Sequence, residues 1–184
     1  MQIHTFFDAI FFGFAVYSFL YIIVKWFAFY KKNDAFKKIE AATISVVWIT
    51  GLIYLAVFLY ELSTVLLGTD IEQKERFLER LSGPYSFGLW FHPLGYVIST
   101  QLVRIKRIAQ NVLLRFLIAF LLFLNFEKFV IVVTSLHRDY LPSSWSMYGG
   151  YSPFLLIAMD WILKLIIFSS LVTVAYYIKN RKTF

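Results

Sequence analysis

Apolar residues run in five long stretches, at 5–30, 41–67, 84–103, 112–136 and 153–178, and polar positions gather in the short segments between them. A helix needs about 20 consecutive apolar residues to cross the hydrocarbon core of a bilayer. The pattern therefore predicts an all-α integral membrane protein of five transmembrane helices, folded as one domain. The first stretch is longer than a signal-peptide core, and Asp8 stands where such a peptide would carry lysine, so a retained helix is expected.

The intervening segments differ in charge. Lys31, Lys32, Lys37 and Lys38 follow the first stretch; Arg104, Lys106, Arg107 and Arg115 lie between the third and fourth; Lys179, Arg181 and Lys182 come last. Five crossings place all three groups on one side. The opposite loops hold Lys74, Arg76, Arg80 and Arg138, outnumbered by Asp70, Glu72, Glu75, Glu79 and Asp139. Basic loops stay on the side of synthesis, which predicts an N-terminus outside and a C-terminus inside. A bacterial inner membrane is the expected location.

Residues 70–82 form an expected outer amphipathic segment. Asp70 and Gln73 have the spacing of a helix start, and Gly83-Pro84 ends it. Ile71, Leu78 and Leu81 can face the membrane surface, so the segment reads as a solvated linker helix or as a docking surface for an extrinsic partner. The second outer loop, 137–151, carries tyrosines and a tryptophan suited to headgroups, and its Pro142 and Gly149-Gly150 argue against a helix.

Composition narrows the function. Charged residues make up 16% of the chain and hydrophobic ones 60%, whereas soluble domains carry roughly 25% charged residues. The formal net charge of +7 sits in loops beside apolar runs, so it reads as a topology signal and not as a nucleic-acid surface. With no cysteine, disulfides, thiolate zinc sites, iron–sulfur clusters and covalently attached haem are excluded.

Ionisable groups inside an apolar stretch are costly and need a partner or a purpose. They are Glu61, His92, Glu127, Lys128, Asp160 and Lys164. At 1.5 Å per residue, Glu61, His92 and Asp160 fall roughly 9–10 Å inside the outer boundary, and Glu127 and Lys164 about 14–16 Å. The inner half of the same stretches reads as almost purely apolar. Asp160 and Lys164 share a helix face and can pair. Glu127 and Lys128 diverge by about 100°, so Glu127 is expected to point inward and Lys128 elsewhere.

Two readings stand: self-neutralising pairs that pin helix packing, or a proton-exchanging pocket open to the outer face. His4, His92 and His137 all lie near that face. Their depths differ by more than a turn, so neither haem nor a metal ion is expected between them. Pro93 should break the third helix locally and free a carbonyl near Leu89, with Gly88 and Gly95 beside it.

The run at 125–145, NFEKFVIVVTSLHRDYLPSSW, resembles the membrane subunit of alternative complex III, within the polysulfide reductase membrane-subunit family. Gly83-Pro84-Tyr85 and Ile98-Ser99-Thr100-Gln101-Leu102 are similar to that subunit at compatible spacing. The resemblance extends from about residue 53 to 153 and corresponds to the C-terminal helical bundle of the family. It implies a bundle that binds a quinol near the outer face and passes electrons to an extrinsic iron–sulfur partner. Glu127, His137, Arg138 and Asp139 match the polar positions of the family, and Lys128 stands where arginine is expected.

Three functions follow as expectations. The first is a membrane subunit of a quinol-linked electron-transfer complex, acting with other membrane subunits and an extrinsic redox subunit. A quinone head needs a proton acceptor, a hydrogen-bond donor and aromatic walls, which Glu127, His92 or His137, Tyr140 and Phe126 can supply, with Glu61, Asp160 and Lys164 as further proton-path candidates. The chain holds no redox cofactor of its own on this reading. The second is a non-catalytic structural or assembly subunit. The third, a small transporter or ion-conducting protein, needs a polar path to the inner face, which the apolar inner halves do not provide. Ser143-Ser144 reads as turn chemistry after Pro142, with no nucleophile elbow for a hydrolase.

Overall fold

A computed structural model describes residues 3–26, 34–68, 71–82, 86–123 and 153–181. Every element among them is an α-helix: α1 (Ile3–Trp26), α2 (Asp34–Leu67), α3 (Ile71–Ser82), α4 (Ser86–Leu102), α5 (Lys106–Gln110), α6 (Val112–Phe123) and α7 (Pro153–Arg181). Three of them, α1, α2 and the Ile157–Arg181 part of α7, are long and apolar enough to cross a membrane. Their apolar residues lie all around the helix, the pattern of a span and not of a soluble amphipathic helix. By contrast α3 is amphipathic, with Glu72, Lys74, Glu75 and Glu79 exposed.

Two boundaries depart from expectation. Helix α2 begins at Asp34, ahead of the apolar run at 41, because the polar turn before it continues the same helix. Pro93 lies inside α4 without ending it, where a local break was expected. Proline removes one backbone donor, but α4 is held along its length by packing against α2, α3 and α6.

Helix α1 is the centre of the bundle, packed against α6, α7 and α2, while α2 also packs on α7 and α4. Its Phe7, Ile10, Phe11, Phe14 and Ala15 are buried. Phe11 meets the rings of Tyr54 and Tyr96 edge-on, at centroid distances of 5.7 and 4.8 Å, which fixes α1 against α2 and α4. Such ring pairs add about 0.5–1.5 kcal/mol each beyond the area they bury. The next residue, Phe12, lies 5.4 Å from the Phe123 ring and 5.6 Å from Trp161, joining α1 to α6 and α7.

Close approach of backbones depends on two glycines. A Cβ at Gly13 would fall inside the Phe168 side chain of α7, and one at Gly51 would fall on the Thr100 side chain of α4. Beside Gly51, the Gln101 amide donates to the Trp48 carbonyl at 3.1 Å. Hydroxyls elsewhere bond their own helix: Ser169 and Ser170 donate to Ile166 O, and Thr173 to Ser169 O. An exposed hydroxyl satisfied in this way suits an apolar surrounding. Asn111 caps α6, its Oδ1 accepting from the N–H groups of Leu113 and Leu114 at 3.0 and 3.2 Å.

Candidate functional site

Polar groups collect at the two ends of this bundle. At the end where α1 begins, Lys164 of α7 is buried, its side chain 6% exposed. Its ammonium lies 2.7 Å from Asp160 one turn earlier on α7 and 2.7 Å from Asp8 of α1. The Phe12 ring lies below it, 5.6 Å from Nζ. A lysine so placed is held by charge on one side and by a ring face on the other, which ties α7 to α1. Asp160 is the more exposed carboxylate of the two, at 46% against 23% for Asp8.

A second pair occupies the same end. His4 Nε2 lies 2.8 Å from Glu61 Oε1, both side chains about half exposed, so the start of α1 meets the last turns of α2. Exposed pairs of this kind contribute roughly 0–1 kcal/mol. The sequence candidates Asp160, Lys164 and Glu61 thus share one end of the bundle, but they belong to two groups, each with its own partner.

His92 lies on α4, and its side chain is outside the described residues. So are Phe126, Glu127, Lys128, His137, Arg138, Asp139 and Tyr140. Helix α6 is described up to Phe123, whose ring lies 6.4 Å from that of Trp161, the neighbour of Asp160. Glu127 follows four residues later in the sequence.

The opposite end corrects one expectation. The sequence predicts an apolar inner half and places Arg115 among the charges between the third and fourth stretches. Instead Arg115 of α6 is 2% exposed and makes a bidentate ion pair with Glu40 of α2, NH1 to Oε1 and NH2 to Oε2 at 3.2 Å. Tyr17 of α1 donates to Glu40 Oε2 at 2.8 Å. NH1 also donates to Ala109 O at 3.2 Å, and the guanidinium centre lies 3.7 Å over the Tyr21 ring. Its Nε has no hydrogen-bond partner among the described residues. The ring face below offsets part of that loss.

The physical reason is chain geometry. Asn111 starts α6, so Arg115 sits one turn inside it, facing α1 and α2 instead of water. Around this cluster, Lys25 of α1 donates to Gln110 O, and Lys179 of α7 donates to Ala41 O at 3.3 Å. Cations expected only as topology signals therefore also join helix ends. Asp8, Tyr17, Glu40 and the structural role of Arg115 were not among the sequence candidates. One signal was available: Arg115 is the single charge in the apolar run 112–123, and Glu40 is an acid at an otherwise lysine-rich end.

Chemically, the first end offers carboxylates and an ammonium in contact, groups that exchange or hold protons. The second end offers a charge pair locked by two rings and a phenol, which is a packing device. Comparison with protein-family models, with curated proteins and with solved structures finds no match.

Proposed function

We propose that the chain is a membrane subunit of a quinol-linked electron-transfer complex, contributing to a quinone pocket or proton path only together with a neighbouring chain. On this reading it spans a bacterial inner membrane five times, N-terminus outside. Helices α1, α2, α4, α6 with the residues that follow it, and α7 are the spans. The observation that carries the proposal is the meeting of two things at one end of the bundle. Asp8, Asp160 and Lys164 are in contact there, and the described part of α6 ends there at Phe123, beside Trp161, four residues before Glu127 in the sequence.

Glu127 is the proton acceptor in this scheme, with His92 or His137 as hydrogen-bond donor. Arg138, Asp139 and Tyr140 shape the polar rim. Asp160 and Lys164 hold the adjoining charge, and Glu61 lies to the side with His4. Electrons leave to an extrinsic redox subunit, since the chain has no cysteine to hold a cluster.

A second reading, a structural or assembly subunit, is favoured by one specific observation: the described members of the polar layer are already paired, Lys164 with two carboxylates and Glu61 with His4. The two readings separate on one experiment. The tagged chain is isolated in mild detergent and quinol-dependent turnover of the isolated assembly is measured. Glu127→Gln should lower turnover by about a hundredfold or more, the smaller end of a general-base contribution, with assembly intact. Unchanged turnover leaves the structural reading, and isolation as a lone chain without quinone removes both.

A further inference from the structure

The turn between α4 and α6 carries a charge pattern that the preceding reading does not use. From Glu79 to Glu127 the sequence contains no acidic residue. Within that interval the cation-rich end of the bundle presents Arg104, Lys106 and Arg107, all exposed. They differ from the other cations nearby, because Arg115 is buried against Glu40 and Lys25 donates to Gln110 O. Arg104 is also positioned: its guanidinium lies 5.0 Å over the Trp48 ring of α2.

Exposed apolar side chains lie between and after these cations in the sequence. Ile105 is 49% exposed, and Val112 and Leu113, just past the turn, are 43% and 67% exposed. A soluble anion would find the cations but nothing to do with the apolar neighbours. An acyl chain attached to an anionic headgroup satisfies both at once. Clustered basic residues next to a span attract anionic lipid, and apolar side chains at the same level reach the acyl boundary.

We propose that the α4–α6 turn is a binding site for an anionic phospholipid, its headgroup phosphate held by Arg104, Lys106 and Arg107 and its first acyl carbons against Ile105, Val112 and Leu113. The site rests on the membrane-spanning part of the reading above and is independent of the quinol part. Arg104, braced on the Trp48 ring, would orient the headgroup, and the exposed Lys106 and Arg107 would close on it.

The test uses the whole protein in nanodiscs made with equal phosphatidylglycerol and phosphatidylcholine, with retained lipid read by native mass spectrometry after detergent release. Each surface cation favours anionic lipid by roughly fivefold, so phosphatidylglycerol should be retained at least about tenfold over phosphatidylcholine. Lys106→Gln/Arg107→Gln, which keeps Arg104 and its contact with Trp48, should leave no more than the roughly fivefold preference of a single cation, at most half the wild-type ratio. Lys74→Gln, at the other end of the bundle, should leave it unchanged.

Equal retention of the two lipids by the wild-type protein overturns the proposal, as does an equal fall in Lys74→Gln. Displacement of phosphatidylglycerol by millimolar inorganic phosphate also overturns it, since the site would then recognise phosphate alone. If the double variant does not fold, the wild-type lipid ratio decides. Extraction of the chain from membranes by alkaline carbonate would instead sink the membrane-spanning reading beneath it.

Discussion

Replacing Glu40 by alanine removes one half of a buried ion pair and leaves the other half in place. Arg115 and Glu40 have side-chain exposures of 2% and 8%, so neither gains useful solvation when the partner goes. The variant loses both guanidinium–carboxylate bonds and the acceptor of the Tyr17 hydroxyl. It keeps a cation enclosed by the rings of Phe14, Tyr17 and Tyr21. Stranding one partner of a buried pair costs about 3–5 kcal/mol. By contrast Glu40→Leu/Arg115→Met removes both charges and should lie within about 2 kcal/mol of wild type, because apolar replacements of a whole buried pair are often neutral or better. Unfolding in bicelles, titrated with a denaturing detergent and followed by tryptophan fluorescence, measures both differences. A Glu40→Ala protein within 1 kcal/mol of wild type (about 1 kcal/mol being the scale of an exposed pair) would refute the buried clamp. So would a double variant as unstable as the single one.

Three further outcomes follow from the packing and the topology. Gly13→Ala should lose about 1–3 kcal/mol in the same assay, the usual range for overpacking, since its Cβ has to displace Phe168. Gly95→Ala is the control, its Cβ meeting only Leu121 at 3.4 Å, and a larger loss there than at Gly13 would contradict the described α1–α7 contact. Lys164→Met should destabilise more than Asp160→Asn, because it strands two carboxylates while the second change affects a half-exposed one; thermal unfolding of the two variants in one detergent gives the order. Single cysteines placed at Glu72 and at Lys106 in this cysteine-free chain should react with an impermeant maleimide from opposite sides of sealed vesicles. Labelling of both from one side would exclude the five-span arrangement.

The apolar runs made the helices readable, because burial in lipid or core needs the same residues whichever helix packs against which. Asp160 and Lys164 were readable as a pair for a local reason: four residues apart they share a helix face. Their third partner, Asp8, was not, because nothing in the spacing relates a residue of α1 to one of α7. The Glu40–Arg115 pair shows the same limit across 75 residues of sequence. Each group sits at the edge of an apolar run, where a charge is equally at home facing water. Only the helix start at Asn111 and the packing of α6 on α1 turn Arg115 inward. Pro93 departs from its local signal for a related reason: a proline predicts a break from local chemistry, whereas three neighbouring helices hold α4 through it.

On the proposed reading, the end of the bundle bearing Asp8, Asp160 and Lys164 completes a quinone site with a neighbouring subunit. The most direct test is a cryo-electron microscopy map of the assembly isolated from native membranes. A shared site should show quinone-shaped density between His92, Glu127 and a residue of an adjoining chain, with Lys164 alongside. Contradiction would be a map in which Glu127 and His92 point apart toward lipid or are each neutralised separately, with lipid tails filling the space between.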